Sequence, residues 1–179
     1  DGFDRTDPAL LKMLLLAYRD KNSAQTPLQG LLTLTPVVPV SVSYELDPCA
    51  VDKARELAVI EQLGEYIKKP DEDLKSMVQG LMGHKGRVRL AFGEPITAAS
   101  SLEDLTEQLD QTIVSNTRLY PTHRYARALN AGLDTQDLVN HPTVRVLAAE
   151  LESLSAAERP FLLQQYANIW RNRQELGIG

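Results

Sequence analysis

Cysteine and long apolar runs are the scarcest features of this sequence of 179 residues. Cys49 is the only cysteine, so the chain can form no intramolecular disulfide and no cysteine-rich metal site. The lack of disulfides fits a reducing compartment such as the cytoplasm. No apolar run approaches the roughly 18 to 20 residues that a membrane-spanning helix needs, and no basic-then-apolar signal segment opens the sequence. We therefore predict a cytoplasmic protein. Any contact with a membrane would be peripheral and on the inner face of the cytoplasmic membrane.

The commonest catalytic and cofactor motifs are also missing. The sequence contains no Gly-x-Ser-x-Gly nucleophile elbow and no glycine-rich phosphate loop. Its three histidines, His84, His123 and His141, include no His-x-x-x-His pair, which argues against a zinc site. We predict neither a metal nor another cofactor. The net charge of -5 argues against nucleic acid as the main partner, because duplex binders usually present a basic surface.

Two short β-branched runs are the most informative segments that are present. Residues 37–44 (Val-Val-Pro-Val-Ser-Val-Ser-Tyr) contain hydroxyls as almost their only polar side chains, which predicts a strand buried on both faces, as in a parallel sheet. Residues 86–92 alternate apolar and polar positions, which predicts one apolar and one wet face. Helical patterns lie between the two runs. This order predicts an α/β fold, with a partly parallel sheet and crossover helices.

Helical patterns occupy much of the remaining sequence. Aspartate followed by proline predicts helix starts at residues 7 and 47, and apolar spacing predicts a helix over residues 71–81. Residues 20–30 are polar and contain both helix breakers, which predicts a loop. Further helices are predicted over residues 102–117, 120–129, 143–153 and 156–176. We therefore divide the chain into an α/β core over residues 1–97 and an all-helical C-terminal appendage over residues 98–179.

Basic side chains bracket the helix predicted over residues 71–81. They are Lys68, Lys69, Lys85, Arg87 and Arg89. They can form either a solvated rim or, if the following strand brings some of them to one edge, an anion site for a phosphate.

A second basic group lies in the predicted helical appendage. Arg118, His123, Arg124 and Arg127 alternate there with the apolar and aromatic residues Leu119, Tyr120 and Tyr125. This mixture suits contact with an anionic surface, and it also suits ordinary packing against the core, which is the interpretation we favour.

Residues 35–42 (Thr-Pro-Val-Val-Pro-Val-Ser-Val) and 85–96 (Lys-Gly-Arg-Val-Arg-Leu-Ala-Phe-Gly-Glu-Pro-Ile) resemble two motifs of the glycerolipid acyltransferase family. The first is similar to its Val-Pro-Val strand, and the second to its final core strand with a Gly-Glu-Pro ending. Residues 116–122 resemble an element that follows the core in bacterial members. The resemblance covers about residues 1–130 and depends on the order and spacing of these motifs. It implies that the chain is the C-terminal part of a bacterial acyltransferase.

The resemblance implies a reaction and a set of partners. A fatty acyl group would pass from acyl-coenzyme A or acyl carrier protein to the hydroxyl of a glycerol phosphate or a lysophospholipid. Val38, Pro39 and Val40 would line the acyl or acceptor pocket, and Lys85 and Arg87 are our candidates for binding a phosphate of acceptor or donor. The implied mechanism is direct attack by the deprotonated hydroxyl, without a covalent enzyme intermediate or a metal.

The catalytic motif of that family, His-x-x-x-x-Asp, does not occur in this chain. The residues five positions after its histidines are Arg89, Ala128 and Val146. In the family, that histidine is the general base and the aspartate orients it. We therefore predict that the chain is inactive alone, and that the dyad and the acceptor-binding arginine precede Asp1. The alternative is a non-catalytic module that binds a protein partner or a membrane surface.

Overall fold

The computed structural model describes residues 5–19 and 24–178. Within these ranges the chain forms eight α-helices and two β-strands. In chain order they are α1 (Pro8–Leu16), α2 (Pro27–Leu34), β1 (Val40–Tyr44), α3 (Ala50–Leu63), α4 (Glu72–Met82), β2 (Val88–Phe92), α5 (Leu102–Asn116), α6 (Pro121–Asn130), α7 (Pro142–Ser153) and α8 (Arg159–Glu175).

The predicted α/β fold with a partly parallel sheet is wrong. β1 and β2 form a two-stranded antiparallel sheet, in which Val40 pairs with Phe92. The strands are connected by α3 and α4, and these two successive helices return the chain to the end of β1 that it left. The backbone N–H of Glu45, just after β1, accordingly donates to the carbonyl of Lys85 at 3.1 Å. A parallel pair needs a crossover to the opposite end of the sheet. Apart from this two-stranded sheet, the regular structure of the described residues is helical.

Local capping interactions begin several of the predicted helices. The side chain of Asp7 accepts the N–H of Ala9 at 2.8 Å, and α1 starts at the intervening proline. Ser101 accepts the N–H of Asp104 at 3.1 Å and starts α5. Each interaction satisfies a donor that the first turn of a helix leaves open. The predicted helix starts at these two positions are confirmed.

The loop predicted over residues 20–30 is wrong in its last part, because α2 begins at Pro27. Thr26 Oγ1 accepts the N–H of Gln29 at 3.2 Å, and Gln29 Oε1 accepts the N–H of Thr26 at 2.9 Å. This reciprocal pair is a capping box, and proline is favourable in the first turn that follows it. Residues 20–23 of the predicted loop lie outside the described residues.

Two clusters of buried apolar side chains hold the helices together. The larger cluster joins the start of α3 to α6, α7 and α8, and the smaller one joins α1, α2 and α5. The larger contains Leu46, Ala50, Ala54, Tyr125, Ala126, Val144, Leu147, Leu151, Leu154, Leu162 and Tyr166, and the smaller contains Leu11, Leu32, Ile96, Leu105 and Leu109. No side chain of β1 or β2 belongs to either cluster as the described residues form them. The domain boundary at residue 97 stays a prediction.

Candidate functional site

The outer face of the sheet carries its apolar side chains. Directly paired residues of an antiparallel sheet lie on the same face, so the register joins Val40 to Phe92 and Val42 to Leu90. We call the following set the apolar sheet face: Val40, Val42, Val88, Leu90 and Phe92. Each of these side chains is between 39% and 71% exposed. Side chains of this type are usually buried, which makes their clustering on one face informative.

The inner face of β1 carries hydroxyls and is buried. Ser41 Oγ lies 3.0 Å from Thr117 Oγ1, and Ser43 Oγ accepts the backbone N–H of Arg118 at 2.9 Å. Both serines are buried, so these hydroxyls satisfy the polar groups at the end of α5. The prediction that the first strand is buried on both faces is wrong. The hydroxyl face is the inner one, and the valine face is open.

The three residues of the predicted pocket wall do not share one environment. Val38 and Val40 are both exposed, whereas Pro39 is buried. The carbonyl of Pro39 accepts the N–H of Gly93 at 2.8 Å. A side chain at Gly93 would meet Thr112 of α5, because an added Cβ would lie 2.5 Å from Thr112 Cγ2. Pro39 therefore helps to hold the sheet close to α5, and the two valines remain accessible.

The two predicted phosphate ligands lie near each other just before β2. Lys85 Nζ donates to the carbonyls of Leu81 and Gly83 at 3.1 and 3.2 Å, at the C-terminal end of α4. A cation is favourable there because the last carbonyls of a helix carry partial negative charge. The guanidinium of Arg87 pairs with Glu45 at 2.6 Å. Both cations thus already have partners inside the protein.

Val40 and Arg87 lie at opposite ends of the sheet. Val40 pairs with Phe92 at one end of the register, and Tyr44 pairs with Val88 at the other. Arg87 precedes Val88, so five strand positions separate it from the partner of Val40. At a rise of about 3.4 Å for each residue, the separation is about 17 Å. The apolar sheet face therefore runs the length of the sheet from Val40 to Val88, and the two cations lie just beyond its Val88 end.

Glu45 is the central residue that sequence reasoning missed. Its side chain is 2% exposed, and it accepts both the Arg87 backbone N–H at 2.8 Å and the guanidinium at 2.6 Å. Its carbonyl accepts Thr122 Oγ1 at 2.6 Å. The hydrogen bond from the Arg87 guanidinium lowers the pKa of the Glu45 carboxyl, although burial acts to raise it. A signal existed: Ser41, Ser43 and Glu45 alternate with a period of two, which assigns them to one face.

Gly86 allows the chain to turn closely past this carboxylate. Its φ of 63° lies in the left-handed region, which favours glycine. An added Cβ would lie 2.9 Å from both Glu45 Cβ and Glu45 Oε2. The glycine therefore permits both the turn into β2 and the approach of the Arg87 backbone to Glu45.

His123 is a buried structural residue. Its Nδ1 accepts the backbone N–H of Tyr120 at 2.9 Å, and its ring centroid lies 5.9 Å from those of Tyr120 and Tyr166. Burial lowers the pKa of His123 to about 4, so its ring is neutral at pH 7. Tyr125 is buried as well. These aromatic members of the second basic group therefore take part in ordinary packing.

The described residues supply no metal centre and no membrane-spanning helix. Residues 5–19 and 24–178 contain no group of three or more His, Cys, Asp or Glu side chains placed to hold a metal ion. Within the same ranges, every helix is too short or too polar to cross a membrane.

Comparison with known proteins gives no match: no protein-family model, curated protein or solved structure resembles this chain closely enough to be identified as a relative.

Proposed function

We propose that this chain is the C-terminal part of a bacterial glycerolipid acyltransferase. The complete enzyme would move a fatty acyl group from acyl-coenzyme A or acyl carrier protein to a glycerol-phosphate or lysophospholipid hydroxyl, on the cytoplasmic side of the membrane. The apolar sheet face is the observation that carries the proposal. A contiguous exposed apolar surface marks a place where an apolar ligand or another part of a protein binds. An acyl chain and the catalytic part of the enzyme together provide such a cover.

The positions of the apolar and cationic side chains along the sheet suit a long ligand that is apolar at one end and anionic at the other. Val38 and Val40 are accessible at one end, and Lys85 and Arg87 lie at the other. An acyl donor has an apolar chain at one end and phosphate groups along its carrier, so it matches this order of apolar and cationic groups. In this proposal Pro39 is a positioning residue, because its buried backbone holds the edge of the sheet at Gly93.

The first test is acyl transfer by the full-length protein that contains this chain. We expect transfer from acyl-coenzyme A or acyl carrier protein to glycerol phosphate or a lysophospholipid. The 179 residues alone should be inactive, because they lack the histidine–aspartate dyad. A folded full-length protein without turnover on any donor–acceptor pair would contradict the proposal.

The pocket wall is tested by placing a charge on the apolar sheet face. Val40→Asp in the full-length enzyme should raise the KM for the acyl donor by at least about ten-fold, because a carboxylate beside an acyl chain costs more than 1.4 kcal/mol. Val146→Asp on α7 is the matched control, since Val146 is 41% exposed and Val40 is 39% exposed. Equal effects of the two changes would remove Val40 from the site.

The phosphate ligands are tested by removing their charges. Lys85→Gln and Arg87→Gln should each raise the KM for the phosphorylated substrate while the protein stays folded. Lys53→Gln on α3 is the control, because its ammonium group pairs with Glu56 and is assigned no role. An unchanged KM in both variants would exclude these two residues as ligands.

A non-catalytic binding module is the second candidate. It is favoured by the lack of a His-x-x-x-x-Asp motif in this chain, in which the buried His123 accepts a hydrogen bond from the Tyr120 backbone. The sequence that precedes Asp1 in the gene separates the candidates: a His-x-x-x-x-Asp motif there supports the enzyme, and its absence supports the module.

A further inference from the structure

Helix α4 presents its apolar side chains to solvent. They are Leu74, Met77, Val78, Leu81 and Met82, which we call the α4 stripe. Their spacing of three, four, seven and eight positions after Leu74 places them on one face of the helix. Each is between 52% and 82% exposed, and α4 contains no buried residue. A helix packed on a core normally turns such a face inward.

The opposite, polar face of α4 attaches the helix to the protein. The thiol of Cys49 donates to the carbonyl of Ser76 at 3.5 Å, and the Gln79 side chain donates to the carbonyl of Pro48. Gly83 passes so close to Pro48 that an added Cβ would clash with the proline ring. These contacts fix the rotation of α4 about its axis. The outward direction of the α4 stripe is therefore a property of the fold.

Two of the three carboxylates at the start of α4 have partners within the protein. Asp73 pairs with Lys68 at 2.6 Å. Glu72 accepts the Tyr66 hydroxyl at 2.7 Å and the backbone N–H of Lys69 at 2.8 Å. Asp71 is the remaining acidic residue of this turn.

Cations remain along the length of the α4 stripe. Among the described residues, the ammonium groups of Lys69 and Lys75 form no ion pair with a carboxylate. Lys85 lies at the C-terminal end of α4, where its contacts are carbonyl oxygens. A lysine thus lies near the start, the middle and the end of the stripe, and three carboxylates also lie at its start. The α4 stripe consists of leucine, valine and methionine side chains, whose burial in the apolar part of a membrane is favourable.

We propose that α4 lies on the surface of an anionic phospholipid membrane. The α4 stripe enters the boundary between headgroups and acyl chains, and Lys69, Lys75 and Lys85 contact the phosphates. The binding free energy of an amphipathic helix on a membrane is the sum of two contributions, which are the burial of its apolar side chains and the attraction of its lysines to anionic lipid. Binding through α4 does not depend on acyl transfer, so its test needs no activity.

Vesicle flotation tests the proposal directly. The protein should float with vesicles of equal parts phosphatidylcholine and phosphatidylglycerol, and much less with phosphatidylcholine alone. Met77→Glu and Leu81→Glu should each lower the binding to the mixed vesicles by at least about ten-fold, because each loses apolar burial and adds a repelled charge. Val146→Glu on α7 is the control, and it should bind like the unmodified protein.

The charges are tested by lysine substitutions. Lys69→Gln combined with Lys75→Gln should weaken binding to the mixed vesicles several-fold, and added salt should reduce the difference from the unmodified protein. Circular dichroism checks the fold of each variant. A second measurement uses the variant Met82→Cys in a Cys49→Ser background, in which the new thiol is labelled with an environment-sensitive dye. The emission of the dye should shift to the blue when the protein binds mixed vesicles.

Two results would overturn the proposal. One is the absence of binding to the mixed vesicles by the folded, unmodified protein. The other is a concentration-dependent dimer that Leu81→Glu dissociates while vesicle binding stays unchanged, since the α4 stripe would then be an interface between two copies of this chain.

Discussion

The helical region around α6, α7 and α8 and the two-stranded sheet distribute their apolar side chains in opposite ways. Leu147 and Leu162 are fully buried, whereas Leu90 and Phe92 are mostly exposed. Both regions have the periodicity that their secondary structure requires. The difference teaches that periodicity identifies a face without deciding whether that face is inside. Among the described residues, the stable core is helical, and the apolar sheet face is available for a contact outside them.

The largest expected effect comes from truncating the helical core. Leu147→Ala should lower the free energy of unfolding by about 2–5 kcal/mol, because it removes buried contacts and leaves a cavity. Leu90→Ala on the apolar sheet face should change it by less than about 0.5 kcal/mol. Chemical denaturation of both variants checks the comparison. Similar losses would mean that the sheet face is as well packed as the helical core.

Acid should destabilise the helical region through His123. Its folded pKa of about 4 lies below the ordinary value of 6.5, so the unfolded chain binds a proton first as the pH falls. Stability should therefore decrease between about pH 6.5 and pH 4, by about 3 kcal/mol near pH 4. His123→Asn keeps an acceptor for the Tyr120 N–H and removes the titration. Denaturation at several pH values should give a flatter dependence for the variant, and an unchanged slope would contradict the assignment.

Substitutions on the two faces of β1 compare the buried hydroxyl face with the open valine face. Ser43→Val should lower the free energy of unfolding by about 1–3 kcal/mol, because the Arg118 N–H loses its acceptor in a partly buried position. Val42→Thr, one position away on the open face, should change it by less than about 0.5 kcal/mol. A strand buried on both faces by apolar packing would give the reverse order. Thermal or chemical unfolding of the two variants distinguishes these arrangements.

The smallest of these effects is expected at Arg87, because its guanidinium is largely exposed and its interaction is screened by water. The Glu45 carboxyl has a lowered pKa in the folded state. Its stabilising contribution is therefore present above the ordinary pKa of a carboxyl and is lost as the pH falls through the lowered value. Arg87→Gln should reduce stability slightly near pH 7 and less in acid. Equal destabilisation at both pH values would argue against an ionic contribution.

Much of the helical structure could be predicted from short-range signals. Asp7 and Ser101 cap helices through side chains that lie within three residues of their partners, so the sequence contains the whole interaction. The start of α2 also has a short-range signal. The loop prediction treats Pro27 as a helix breaker, but the reciprocal hydrogen bonds of Thr26 and Gln29 make it a helix start.

The strand partners and the candidate site were less predictable, because they depend on contacts between distant residues. Val88, Leu90 and Phe92 do share one face, as their alternation predicts. The direction of pairing depends on the path of two intervening helices. Glu45 accepts hydrogen bonds from Arg87 and Thr122, which are 42 and 77 positions away. The candidate residues Val38, Pro39, Val40, Lys85 and Arg87 remain predictions for binding.

Capping and periodicity act over a few residues, so the local sequence indicates most of the helices and which side chains share a face. Only the tertiary structure decided which of those faces lie inside. The serine face of β1 packs on α5 through hydroxyl hydrogen bonds, and the polar face of α4 packs on Pro48 and Cys49. Such contacts join residues far apart in the chain, and they turn two apolar surfaces outward toward the partners proposed for them.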